Sequence, residues 1–315
     1  MFPLSQQLYL GNSGRFVAVS VSNTNVIAYS DNGINWNTTT SPITQSCGTN
    51  SVTFGNGYYI ICGNSGQPLY SLDGINWSTS PSTSIPYGPV TYGNGTYVVL
   101  KEGIGPFSPD AAYSTDGINW TTMTLPNFSP STKWVDIAHG RCGGVDSGNI
   151  FVALNSQYFS SVTSPDGITW TQTVGSLPYT ALWNSITFGN NKFIATCAKT
   201  APNVAISTNG TTWSPAGNST FVDYQNLSYG NGQYTSFQSP TTGQYSINGI
   251  TWNSLSTPSS GIADSVWGNQ IYVAIDGSFL TPKGLYSRNG TTWSLTTMPA
   301  PGGWNAVCFG QLAQN

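Results

Sequence analysis

One short hairpin is written seven times. It reads YSDNGINW at 29–36, YSLDGINW at 70–77, YSTDGINW at 113–120, TSPDGITW at 163–170, ISTNGTTW at 206–213, YSINGITW at 245–252 and YSRNGTTW at 286–293. Its tryptophans are separated by 41, 43, 50, 43, 39 and 41 residues. Self-similarity at this period, over nearly the whole chain, constrains the fold more than any local propensity. Each copy is one supersecondary unit that buries its apolar face against its neighbours.

The common pattern is Ser, any residue, Asp or Asn, Gly, Ile or Thr, Asn or Thr, Trp. Asx-Gly suits a two-residue type I′ turn, where both central residues take positive φ. The Ser and the Asx side chain are placed to hydrogen-bond turn amides. The Trp offers a large apolar surface to the next unit. We call this hairpin the box.

A second hairpin lies between boxes: VTFGNGYYIIC (52–62), VTYGNGTYVVL (90–100), ITFGNNKFIAT (186–196), LSYGNGQYTSF (227–237) and SVWGNQIYVAI (265–275). Each reads as strand, tight Gly-Asn turn and strand. The unit is therefore four antiparallel strands, a to d, with short turns at a–b and c–d. Four strands in about 40 residues is the period of a propeller blade. The predicted fold is all-β: one domain over 1–315, a seven-bladed β-propeller of four-stranded antiparallel blades. Composition agrees. Charged residues are 6% and aromatics 13% of the chain, a mixture poor for helices and good for strands joined by tight turns.

With its Ser–Asp–Gly–Trp hairpins the chain resembles the Asp-box (BNR) repeat proteins of the sialidase-like propellers, in which such a hairpin joins the two outer strands of a blade. The usual box has one more residue between Asp and Gly, whereas Asp116 and Gly117 are adjacent. The resemblance implies the propeller. For sialidase activity it would require an arginine triad on a carboxylate, a Tyr–Glu nucleophile pair and an acid. The only arginines are Arg15, Arg141 and Arg288, all assigned to the tight-turn face, so no catalytic residue carries over.

Ring closure has a sequence signature. The tail WNAVCFG (304–310) matches WNSITFG (183–189), the start of a unit, and no b, c or d strand follows it. The first unit has b, c and d strands in GRFVAVS, NVIAYS and INWNTT. The C-terminal strand is expected to supply the inner strand of blade 1, with LYLGNSG (8–14) as the alternative.

A four-stranded meander puts the a–b and c–d turns on one face and the b–c and d–a loops on the other. The second face varies in length and sequence, and recognition normally sits on loops of that kind. There the unit alignment places Tyr87, Trp134, Trp183, Tyr224 and Trp304 at one position near the channel mouth. Asp136 and Asp264 lie two residues further on, and Asn184 follows Trp183. Aromatic faces beside Asn and Asp acceptors suit a neutral sugar ring. Packing between blades is the competing role for the same aromatics.

Catalysis has little to work with. The carboxylates on the variable face are Glu102, Asp110, Asp136, Asp223, Asp264 and Asp276. A glycosidase needs two of them about 5–9 Å apart, and Glu102 with Asp110, in one loop, is the nearest candidate pair. His139 is the sole histidine, and no Ser-His-Asp or Cys-His pattern is evident. No cofactor motif and no metal-ligand spacing is found; Cys62, Cys197 and Cys308 sit in strand-like apolar runs as structural thiols. A net charge of −3 from few charges leaves no basic patch for nucleic acid. No segment approaches a membrane span.

The leading expectation is a non-catalytic, lectin-like propeller on the surface of a phage or virus particle, contacting host surface polysaccharide. The N-terminal MFPLSQQLYL lacks a secretory pattern, which favours the virion over a secreted protein. The alternatives are a structural module docking other virion proteins and a glycoside hydrolase.

Overall fold

In the computed structural model of the chain, the described residues are 14–312 except 23, 46, 102–109, 127–132, 143–147, 157–160, 174–176, 179–180, 199–202, 217–224 and 239–240. They form seven sheets of four antiparallel strands arranged in a ring. Blade 5 shows the pattern: Leu182–Gly189, Lys192–Ala198, Val204–Ser207 and Ser214–Ala216, in order from the axis outward. Blade 1 takes its inner strand from the C-terminus. Trp304–Gln311 pairs antiparallel with Gly14–Ser20, Phe16 opposite Phe309 and Val17 opposite Cys308. The tail closes the ring, as its likeness to WNSITFG predicts; residues 8–13 lie outside the described set.

The second strand of each blade is buried over most of its length, and Thr96–Leu100 and Ile271–Asp276 are buried throughout. Both its faces meet neighbouring blades, so it reads as a continuous apolar run without alternation. The core is divided among the blade interfaces. One cluster joins Val17, Val19 and Ile27 of blade 1 to Val52, Tyr59 and Ile61 of blade 2, and an equivalent cluster fills each following interface.

Around the axis the Gly at or next to the end of each inner hairpin strand receives an aromatic ring from the next blade. Tyr92 lies on Gly55, His139 on Gly93, Phe188 on Gly140, Tyr229 on Gly189, Trp267 on Gly230, Phe309 on Gly268 and Phe54 on Gly310. A Cβ at any of these glycines would stand within 2.3 Å of a ring atom or of the Trp267 Cβ. Glycine is required by close approach. His139 is thus the aromatic member of blade 4, its ring 4.6 Å from that of Phe151. Tyr59, Tyr97, Tyr234 and Tyr272 reinforce the interface by donating their hydroxyls to the carbonyls of Gly310, Gly55, Gly189 and Gly230.

The box has a different geometry from the predicted two-residue turn. Strands Ala111–Ser114 and Thr121–Met123 are joined by residues 115–120, and within the Asx-Gly pair only Gly117 takes positive φ, +75°. Gly117 N donates to Ser114 Oγ (2.9 Å), and Asp116 Oδ1 accepts from Ile118 N (2.8 Å) and Asn119 N (2.7 Å). The same three bonds recur in the other six boxes. Side chains thus satisfy the amides that a wider loop would leave bare. The type I′ signature belongs to the a–b turns instead: Asn56 and Gly57 have φ of +43° and +82°, and Gly55 pairs with Tyr58.

Each box also locks onto the preceding blade. A Cβ on Gly117 would stand 2.8 Å from Ile60, and one on Gly74 2.8 Å from Val17. Lys192 Nζ donates to Asn248 O (3.2 Å), and Asn94 Nδ2 to Pro165 O (3.1 Å). Boxes and a–b turns share one face, and that face is engaged in holding the ring together.

Candidate recognition face

The predicted aromatic ring divides. Trp134, Trp183 and Trp304 are only 2%, 0% and 0% exposed, each inside an interblade cluster. Trp304 Nε1 donates to Pro299 O at 3.0 Å. Burial turns these three rings toward the neighbouring blades, the packing role that competes with sugar contact at this position. Tyr87 differs, at 39% exposed. The cause is local. Trp134 and Trp304 begin regular strands and Trp183 is the second residue of its own, each with one bulged residue after it. After Tyr87 come Gly88, at φ +153°, and Pro89, and pairing starts only at Val90. Tyr224 lies outside the described residues.

Asp136 and Asp264 are also placed differently from expectation. Asp136 Oδ1 accepts from its own neighbour Ile137 N (2.8 Å), and Oδ2 from Ile186 N and Ser185 Oγ of blade 5 (both 2.9 Å). Asp264 does the same at the closing interface: Oδ1 accepts from Ser265 N (2.8 Å), Oδ2 from Val307 N of blade 1 (2.9 Å). Inner strands are sheet edges, so their amides lack a ladder partner. In blade 5 the equivalent Ser185 serves Leu227 N of blade 6 at 3.1 Å. Pro89 and Asn226 hold this position in the blades preceding Asp136 and Asp264. Proline has no side-chain acceptor, and Asn226 donates Nδ2 to Ile262 O (3.1 Å). A carboxylate, with two oxygens, serves its own strand and the next one. These aspartates are interblade clamps. Burial pushes the Asp264 carboxyl up to about 7, with the charge of Asp136 adding to the rise and the two amides opposing it.

Asn184 is the bulged residue between Trp183 and Ser185, half-buried at the same level. Asp276, 4% exposed, accepts from Ser259 Oγ and Ser278 N, each at 2.6 Å. Asp110 is half-buried; Glu102 and Asp223 lie outside the described residues. Asp136, Asp264 and Asp276 therefore hold backbone and hydroxyl donors. No group of three or more possible metal ligands occurs among the described residues. Arg15 bonds Asp31 (2.7 Å) and Asp73 O (2.6 Å), between boxes. Arg288 is exposed within the seventh box and Arg141 at the end of an inner strand.

What the rim presents is a set of braced loops. Residues 276–282 and 298–303 are tied together: Gly303 N donates to Ser278 O (3.0 Å), and Gly303 approaches Phe279 so closely that a Cβ would stand 2.5 Å from its ring. Blade 1 joins them through Ser20 Oγ to Gly302 O (2.7 Å) and Val21 N to Gly303 O (2.9 Å). From this support Phe279 and Leu280 project at 57% and 93% exposed. Residues 80–88 are braced by Ile85 N to Gly66 O (2.9 Å) and Gln67 Nε2 to Ser80 O (2.8 Å), and carry Tyr87.

A ring of seven four-stranded blades closed by its last strand is a seven-bladed β-propeller. No protein-family model matches the sequence, and no curated protein matches it. Solved structures match the fold. Streptogramin B lyase aligns at a TM-score of 0.61 and 11% identity, over 80% of this chain and 84% of that one. Virginiamycin B lyase from Staphylococcus aureus aligns at 0.58 and 15%, over 92% and 97%. YCF48 bound to a D1 peptide aligns at 0.56 and 16%, over 80% and 83%. At these identities the likeness is one of fold alone, and it spans enzymes and a peptide binder.

Proposed function

We propose that this chain is a non-catalytic propeller that binds carbohydrate through its b–c and d–a rim, as a virion-surface component contacting host glycans. One observation carries the reading: Tyr87 is an exposed aromatic on a braced rim segment, whereas the equivalent tryptophans are buried. An aromatic face held by its backbone stacks on a sugar at low ordering cost. Neutral polar loops around it supply acceptors without charge. Three of the four described rim carboxylates, Asp136, Asp264 and Asp276, already hold other donors, which favours binding over hydrolysis.

The exposed Phe279–Leu280 pair favours a second reading, docking of a protein partner of the particle. A glycan array probed with the wild-type chain and with Tyr87→Ala separates the two. Glycan binding that Tyr87→Ala weakens supports the first; no binding at millimolar sugar rejects it.

A further inference from the structure

The chain contains seven Asn-Gly pairs, four in boxes (Asn32, Asn209, Asn248, Asn289) and three in a–b turns (Asn56, Asn94, Asn231). At such a pair the glycine nitrogen can attack the asparagine side-chain carbonyl, because no side chain on the glycine hinders the approach. The fold treats the seven very differently.

In the boxes both reacting groups are engaged. The amides of Gly33, Gly210, Gly249 and Gly290 donate to serine hydroxyls at 2.8–2.9 Å. Each asparagine Oδ1 accepts from two amides further along, at 2.8–3.0 Å. Asn94 is held as well, donating to Pro165 O (3.1 Å) and accepting from Asn149 Nδ2 (3.0 Å). Asn56 and Asn231 are exposed, and among the described residues no hydrogen bond holds either side chain. Around Gly57 and Gly232 a Cβ would meet nothing within 4 Å.

We propose that Asn56 and Asn231 are self-modification sites, where the folded protein deamidates without an enzyme. The glycine nitrogen loses its proton to solvent base and bonds to the asparagine Cγ. The Cγ–Nδ2 bond breaks and ammonia leaves. Water then opens the five-membered imide to aspartate or isoaspartate, with no redox change. Each event adds a negative charge to the turn face. Isoaspartate lengthens the backbone of a two-residue turn, so Gly55–Tyr58 and Gly230–Gln233 lose their register.

The test is peptide mapping by mass spectrometry of the full chain aged in mildly alkaline buffer, folded and in urea. In the folded protein Asn56 and Asn231 convert at least roughly tenfold faster than Asn94 and the four box asparagines, which react only through local opening. Asn190 and Asn269, in the same turn geometry but followed by Asn191 and Gln270, are slow controls. Urea brings the seven pairs together. Ser246→Ala, which removes the acceptor of Gly249 N, speeds Asn248 while Asn209 stays slow. Equal folded-state rates at the seven pairs, or an unchanged Asn248 rate in folded Ser246→Ala, overturn the proposal.

Discussion

Phe54, in the inner strand of blade 2, lies on Gly310 of the closing strand, where a Cβ would stand 2.3 Å from the ring. The contact is one of seven around the axis, so closure by the C-terminal strand repeats the geometry of every other blade interface. Gly310→Ala forces a ring and a strand apart and is expected to cost about 1–3 kcal/mol. Gly148→Ala, where a Cβ meets nothing within 4 Å, is expected to stay within about 0.5 kcal/mol. Urea midpoints of the two variants check this; equal midpoints reject the close-approach account.

The box predicts its own substitution rule. Asp and Asn make the same two amide bonds in different blades. Asp116→Asn is therefore expected to change stability by no more than about 0.5 kcal/mol, and Asp116→Ala to cost about 1–2 kcal/mol. Hydrogen bonds to the charged form hold Asp116 at about 2, against the opposing and largest single influence of burial. Its folded value is depressed, so its contribution is present above about pH 4 and is lost as pH falls through 2. Acid titration of the melting temperature reads the loss, and Asp116→Asn abolishes that part of it.

Asp264 carries the opposite sign. Its folded value is raised to about 7, above the ~3.9 of an unfolded aspartate. Between those values the folded state binds the extra proton, so this residue's contribution declines as pH rises from about 4 to 7. Asp264→Asn is expected to flatten the melting temperature across that window while keeping one amide acceptor. An equally steep decline in the variant refutes the assignment.

Much of the architecture is legible in the chain because one hairpin repeats at a blade's period, and because WNAVCFG has no partners of its own near the C-terminus. The turn geometry was harder to read. Asx-Gly occurs in both hairpins, and only the Ser three residues before the box glycine marks the wider loop. The aromatic position misleads since Trp and Tyr at a strand start serve packing and recognition alike. Gly88-Pro89 is the signal that Tyr87 departs from the others. The clamps of Asp136 and Asp264 were illegible, as the amides they serve, Ile186 and Val307, belong to the next blade.

Trp183 and Tyr87 occupy one aligned position with different burial, so they separate stability from recognition. Trp183→Ala is expected to cost about 3–5 kcal/mol, as for a large core residue. Tyr87→Ala is expected to cost less than about 1 kcal/mol. Thermal melts of the pair check the division, and comparable losses would remove Tyr87 from the rim.

The proposed division of labour between the two faces can be read in one hydrogen-exchange experiment, with and without a polysaccharide that scores on the glycan array. The account predicts slowed exchange at 80–88, 276–282 and 298–303, with the seven box hairpins unchanged. Protection of the boxes, with the rim unaffected, would contradict it.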